Sequence, residues 1–327
     1  MDAALFLADL EAKPASLARL GDAFRANDPL AEVPPSARRV VLLGMGSSRY
    51  AAVDAALMLR SAGVDAVAEY ASATVGWPAA RDTLIVAVSA KGESEETIAA
   101  VDRYRGVSPV VALTDAPRST IATLADVVVP LEAGDELGGV ACRSFQHTQL
   151  VLRALEARLG GRAVDLPSLC DRVAAASANL LDGRAAWLPG VSAALDGPDG
   201  VFVLAPVERL ASAEQGALAI REGPRRLAVA CETGDWSHVD VYLAKTLDYR
   251  ALLFAGSRGD GNALEWLAKR GSTFVAVGRD VPGVRGAVRY IGDDDPDVAA
   301  MTEVLVAELV GAAWWSATYG HMPGPGP

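Results

Sequence analysis

Residues 39–63, RVVLLGMGSSRYAAVDAALMLRSAG, decide how the chain is read. Val40 to Leu43 form an apolar run without alternation, Gly44 to Ser48 turn the chain, and apolar positions then recur at helical spacing. A strand buried on both faces of a parallel sheet lacks alternation, and strand, glycine turn and helix make up the first half of a βαβ crossover. Outward from this unit the pattern continues. Further strand candidates are DAVAEYA (65–71), LIVAVSA (84–90), PVVALTD (109–115) and DVVVPLE (126–132), with EETIAAVDRYR (95–105) as an intervening helix. Strands alternating with helices imply right-handed crossovers and a doubly wound α/β sheet.

After the helical stretch HTQLVLRALEARLG (147–160) the pattern starts again. VFVLAPVERLASAEQGALAIREG (201–223) can be laid over residues 40–63, ALLFAGSRGDGNALEWLAKRG over LIVAVSAKGESEETIAAVDRYRG, and FVAVGRD over VVALTD. The offset stays at roughly 160 to 170 residues, the period of a duplicated domain rather than of a solenoid repeat. The expected layout is an N-terminal helical segment at 1–35, a first domain at 36–165, and a second at 166–327 with a C-terminal helix and a Pro/Gly tail. Residues 2–26 carry apolar positions at three and four spacing and read as a helix, and the Pro-broken PLAEVPPSARR follows.

The chain has 327 residues, 51% hydrophobic and 22% charged, enough for a large core. A net charge of −11 argues against a nucleic-acid partner, which calls for a basic face. No window reads as a membrane span, and the acidic, helix-patterned start is not a signal peptide. Three cysteines without CxxC spacing fit reduced thiols in a cytoplasm, and three histidines make a His-rich metal site an unpromising expectation.

Two loops concentrate polar chemistry. In GMGSS, Gly44 and Gly46 let backbone N–H groups approach a ligand, and Ser47 and Ser48 offer hydroxyl donors at a helix start. Arg49 occupies the third glycine position of a dinucleotide fingerprint, and no P-loop is present. Tight strand-to-helix turns use Gly and Ser in any case. In SAKGESEET (89–97), Ser89, Ser94 and Thr97 are candidate donors to phosphate oxygens, with Lys91 as a possible cation. Glu95 and Glu96 fall in the first helical turn, where they suit the helix dipole. The corresponding loops of the second half keep only Ser257, so one phosphate site per chain is expected, in the first half.

In the second half, Gly223-Pro224 stops a helix at Glu222. A carboxylate at a helix C-terminus faces the negative end of the dipole, which disfavours its charge and suits a general base with a raised pKa; a solvated surface Glu is the alternative. His238, in ETGDWSHVD, is a candidate acid or base, or equally a packed or capping His. Glu136 precedes a Gly-Gly turn and is a candidate for closing a sugar pocket, or an ordinary loop acid.

Taken together, GMGSS, SAKGESEET and GDELGGVACRSFQHTQL in a duplicated α/β chain resemble the tandem sugar isomerase (SIS) domain family. The resemblance covers about residues 36–320 and includes the isomerase half of glucosamine-6-phosphate synthase and stand-alone fructoselysine- and glucoselysine-6-phosphate deglycases. It implies two tandem five-stranded, flavodoxin-like parallel sheets flanked by helices. SAKGESEET is similar to the family's phosphate loop, with Lys91 where the family has Ser or Thr; Gly46, Glu136 and Cys142 become substrate-contact candidates. GALAIREG resembles the family's helix end, which makes Glu222 the proton-transfer base. ETGDWSHVD resembles its His segment, with Val239-Asp240 in place of Gly-Pro, and implies that His238 acts from a neighbouring subunit of a homodimer. No Lys follows Lys269 to match the synthase's tail, and no leading Cys is present, so glutamine-dependent synthesis is not expected. The implied activity is deglycation of a 6-phosphorylated ketosamine without metal or organic cofactor. The alternatives are aldose–ketose isomerisation of an (amino)sugar phosphate, and a non-catalytic phosphosugar sensor.

Overall fold

A computed structural model of the protein describes residues 1–161 and 163–319; the expected Pro/Gly tail lies outside the described residues. The chain divides into two compact units whose segments interleave. One comprises residues 16–135 and 143–171, and the other 1–15, 136–142 and the chain from Arg172 onward. The N-terminal segment is therefore shared between the units. Its expected single helix is two, α1 (Ala3–Glu11) and α2 (Lys13–Ala26). The break falls before Pro14, which lacks an N–H to continue α1 but fits the first turn of a new helix.

In the unit built on residues 16–135, β1 (Arg39–Gly44), β2 (Asp65–Tyr70), β3 (Thr83–Val88), β4 (Val110–Thr114) and β5 (Val127–Pro130) form a sheet of order β2-β1-β3-β4-β5. All of its pairings are parallel. Helices α3 (Gly46–Ser61), α4 (Glu95–Asp102) and α5 (Thr120–Leu124) connect the strands, and α6 (Arg143–Gly160) follows them. Every residue of β3 is buried, as its unalternating sequence requires. Val41, Leu43, Ile85, Val101 and Tyr104 lie in one core cluster.

The second unit repeats this topology. Helix α7 (Leu166–Leu195), not anticipated as one long element, leads into β6 (Val201–Ala205), α8 (Leu210–Glu222) and β7 (Ala228–Glu232). Then come α9 (Thr233–Trp236), β8 (Arg250–Phe254), α10 (Asp260–Lys269), β9 (Thr273–Val277), β10 (Gly286–Val288), α11 (Pro296–Thr302) and α12 (Val304–Tyr319). The sheet order β10-β9-β8-β6-β7 is the first sheet's order written from its other end. The duplication read from sequence is therefore real at the level of strand order. Residues 296–318 are apolar enough to pass as a membrane span, contrary to the expectation that no window would. They are mostly buried, and their hydrophobicity serves the core of this unit.

Candidate functional site

In a doubly wound sheet, ligands bind at the carboxyl ends of the two strands where the winding reverses. In the first sheet these are the neighbours β1 and β3. The chain leaves β1 through Gly44-Met45 into α3 and leaves β3 through Ser89 to Ser94 into α4, so GMGSS and SAKGESEET occupy that crevice together. Gly46 holds φ of +51°, and a Cβ on Gly44 would stand 3.0 Å from the backbone of Ser48 and Arg49. The first turn of α3 has Met45 at its N-cap, which offers no side-chain acceptor. The Ser48 N–H donates to the Met45 carbonyl at 3.2 Å, and no side chain caps the turn ahead of it. Ser47 and Ser48 lie in that turn, half-buried, and Ser89 follows β3 with 7% of its surface exposed. The hydroxyls of all three make no hydrogen bond among the described residues.

The rest of SAKGESEET is more committed. Ser94 caps α4: its Oγ accepts from the backbone N–H of Thr97 at 3.3 Å and from the Thr97 hydroxyl at 3.0 Å, and donates to Glu96 at 3.0 Å. Ser94 and Thr97 thus hold the loop in shape and offer a ligand less than the three free serines do. Glu93 reaches across to α5, accepting from the Thr120 N–H at 2.8 Å and hydroxyl at 2.7 Å. Those two bonds hold its carboxyl below the usual range. Sequence reading did not find this clasp, because Thr120 lies 27 residues away. Lys91 is exposed and forms no hydrogen bond or ion pair among the described residues.

Gly92 fixes the loop's path. Its φ is +68°, and a Cβ there would fall 1.9 Å from the Ser119 hydroxyl oxygen, itself tied to the Ala116 carbonyl. We expect Gly92→Ala to cost about 2–3 kcal/mol through backbone strain and the clash. Urea unfolding checks the loss, and ligand affinity should fall with it; unchanged stability would contradict this geometry.

The remaining candidates belong to the other unit. Glu222 ends α8, half-buried, and accepts no hydrogen bond among the described residues. Burial pushes its carboxyl above the usual value, with Arg221 opposing. The direction agrees with the sequence reading, but the cause is desolvation where helix-dipole repulsion was expected. His238 is exposed, just past α9, and its backbone N–H donates to the Asp235 carbonyl at 2.8 Å. The segment is anchored by Trp236, which is 1% exposed and donates its indole N–H to the Tyr249 hydroxyl at 2.7 Å. Tyr249 in turn stacks on Phe202 with centroids 4.1 Å apart. Glu136 accepts from the backbone N–H of Cys142 at 2.7 Å. Cys142 is fully buried, and burial raises its thiol well above the ordinary value, so it is unreactive at neutral pH. Among the described residues, no group of three or more His, Cys, Asp or Glu is placed to hold a metal.

Comparison with known proteins agrees with this architecture. Residues 35–157 match the SIS domain model. The chain is 35% identical to the glutamine–fructose-6-phosphate aminotransferase (isomerizing) of Pyrobaculum aerophilum over 126 residues, which is 37% of this chain and 20% of that protein. It is 28% identical to the enzyme of the same name from Aeropyrum pernix over 215 residues, 61% of this chain and 34% of that protein. The chain thus spans about a third or less of the length of these relatives. Among solved structures, the C-terminal domain of glucosamine-fructose-6-phosphate aminotransferase from Francisella tularensis has the same fold, with TM-score 0.81, 16% identity and 96% of this chain and 95% of that one covered. So does tagatose-6-phosphate ketose/aldose isomerase from Escherichia coli, with TM-score 0.76, 17% identity and coverage of 97% and 93%. The chain carries a SIS domain followed by a second SIS-like subdomain, in the fold shared by phosphosugar isomerases.

Proposed function

We propose that the chain is an enzyme acting on a 6-phosphorylated sugar, and that its reaction is deglycation of a ketosamine 6-phosphate to an aldose phosphate and an amine. The observation that carries this reading is the first sheet's crevice, where three unengaged serine hydroxyls, Ser47, Ser48 and Ser89, meet the uncapped N-terminus of α3. A phosphate dianion accepts many hydrogen bonds at once and gains from a helix N-terminus. Ser94 and Thr97 shape the same loop, and Lys91 stands free to lend its charge.

In the chemistry proposed, a base takes the C1 proton of the open-chain ketosamine and returns it to C2. The resulting imine is split by water, and the amine departs protonated. Glu222, raised toward neutrality by burial, suits the base; His238 suits ring opening or protonation of the amine. Exposed Val239 and Tyr242 beside His238, 57% and 62% accessible, favour a homodimer that covers this segment with a second copy. A cytoplasmic setting accords with three free cysteines.

The test is incubation with fructoselysine 6-phosphate, following released amine and sugar phosphate. Isomerisation without amine release would favour the aldose–ketose reading. Ser89→Ala should weaken phosphosugar binding roughly ten-fold by removing a hydrogen bond to a charged group. Calorimetric titration checks it, and an unchanged affinity would move the phosphate elsewhere.

A further inference from the structure

The second sheet has its own reversal point, between β6 and β8. Its two loops contain none of the free serines of the first, and the expectation of one phosphate site per chain rested on that loss. The crevice has not closed, however. A cavity of about 190 Å³ lies there, bounded by the turn after β6, the loop after β8, Arg279 after β9, and the start of α11.

Two guanidinium groups converge on it. A Cβ placed on Gly256 would have the guanidinium carbons of both Arg209 and Arg279 at 3.7 Å. Gly256 holds φ of +138° and carries no side chain into this space. Arg209 is held from behind. It pairs with Glu303, which is wholly buried, and donates to the Ala255 carbonyl at 2.7 Å. Gly278, with φ of +84°, leaves the room that Glu303 needs, since a Cβ there would stand 2.7 Å from its carboxylate. Arg209 is therefore a cation fixed in place, against a Glu303 carboxyl that burial pushes up to about 8.

The exposed charges on the wall are the informative ones. Arg279 is exposed and makes no hydrogen bond or close ion pair among the described residues, with Asp260 and Glu303 near enough to feel its charge. Two exposed carboxylates on the wall, Glu208 and Asp294, likewise make no hydrogen bond or close ion pair among the described residues. Asp293 is already held by Arg289. A plain anion would meet Arg279 but would also face two free carboxylates, which oppose it. A ligand carrying both an oxyanion and an ammonium satisfies all three.

The geometry points to a second ligand site at the reversal point of the second sheet, for a small zwitterion such as an α-amino acid. Its oxyanion meets Arg279 beside Arg209, and its ammonium meets Asp294 and Glu208. This site is independent of the phosphosugar reading, and each can fail alone.

The test is saturation-transfer NMR on the full chain with glycine, lysine and glutamate as zwitterions, acetate and inorganic phosphate as anions, and methylamine as cation. We expect at least one amino acid to bind, with affinity roughly ten-fold lower in Arg279→Gln and reduced in Asp294→Asn. Arg279 is exposed and makes no close pair, so its substitution leaves folding intact. Ser89→Ala should retain amino-acid binding. Four outcomes would overturn the proposal: no amino acid binds, Arg279→Gln binds like the parent, acetate or phosphate competes at this site as well as the amino acid, or Ser89→Ala abolishes the signal.

Discussion

Glu222→Gln should lower kcat on a ketosamine 6-phosphate about 100- to 10,000-fold while leaving phosphosugar affinity near that of the parent. Gln keeps the size and one acceptor of the side chain but cannot take a proton. The phosphate-binding hydroxyls assigned above lie on other elements and are untouched. Burial raises the Glu222 carboxyl above its ordinary value, so the ionised base fills only as pH climbs through that raised value. The acid limb of kcat/KM should therefore sit above the usual glutamate range and vanish in Glu222→Gln. Stability has the opposite sign. A carboxyl whose pKa is raised on folding binds more protons in the native state, so its contribution falls as pH rises from the unfolded value toward the folded one. The substitution, which stays neutral, should thus slightly stabilise the chain near neutral pH. Turnover surviving in the variant, or affinity lost along with turnover, would remove Glu222 from the role of base.

Lys13→Ala should cost about 3–5 kcal/mol of stability, the ordinary consequence of leaving one member of a buried ion pair alone. Lys13 at the start of α2 pairs with Glu308 in α12, and neither side chain has any exposed surface. Burial drives the Glu308 carboxyl upward, Lys13 opposes that shift, and Glu136 adds to it. Without Lys13 the carboxyl loses its counter-charge and its pKa rises further. The deficit should accordingly widen as pH rises through the carboxylate range and shrink in acid, where Glu308 is neutral. Urea unfolding across pH measures both. The double substitution Lys13→Met with Glu308→Leu should recover most of the loss, because it leaves no buried charge behind. A single variant as stable as the parent would show that the pair contributes nothing.

The fold was legible because parallel strands announce themselves. RVVLLG, TLIVAV and VVALT are apolar on both faces, and the glycine-bearing turns after the first two mark where those crossovers begin. The duplication was legible for the same reason, since VFVLA and RALLF repeat the signal at matching positions. The phosphate loops could be found as clusters of Gly and Ser, but their internal division of labour could not. Ser94, Thr97 and Ser89 are alike as residue types. Only the structure distinguishes the pair engaged in capping α4 from the hydroxyl left open. Glu93, in the same loop, clasps the next helix through a residue 27 positions away.

Sequence alone determined the strand–helix alternation, the two-fold repeat, the two Gly- and Ser-rich loops, and the helix end at Glu222. These depend on local periodicity and on residues such as Gly and Pro whose backbone limits act where they stand. Tertiary structure decided the rest. It paired Lys13 with Glu308 across 295 residues and Arg209 with Glu303 across 94, brought Arg279 to Arg209 over Gly256, and buried Glu222 enough to raise its pKa. A charged residue in a helical pattern looks solvated until its surroundings are known. Desolvation and long-range pairing are properties of the folded chain and of no single segment within it.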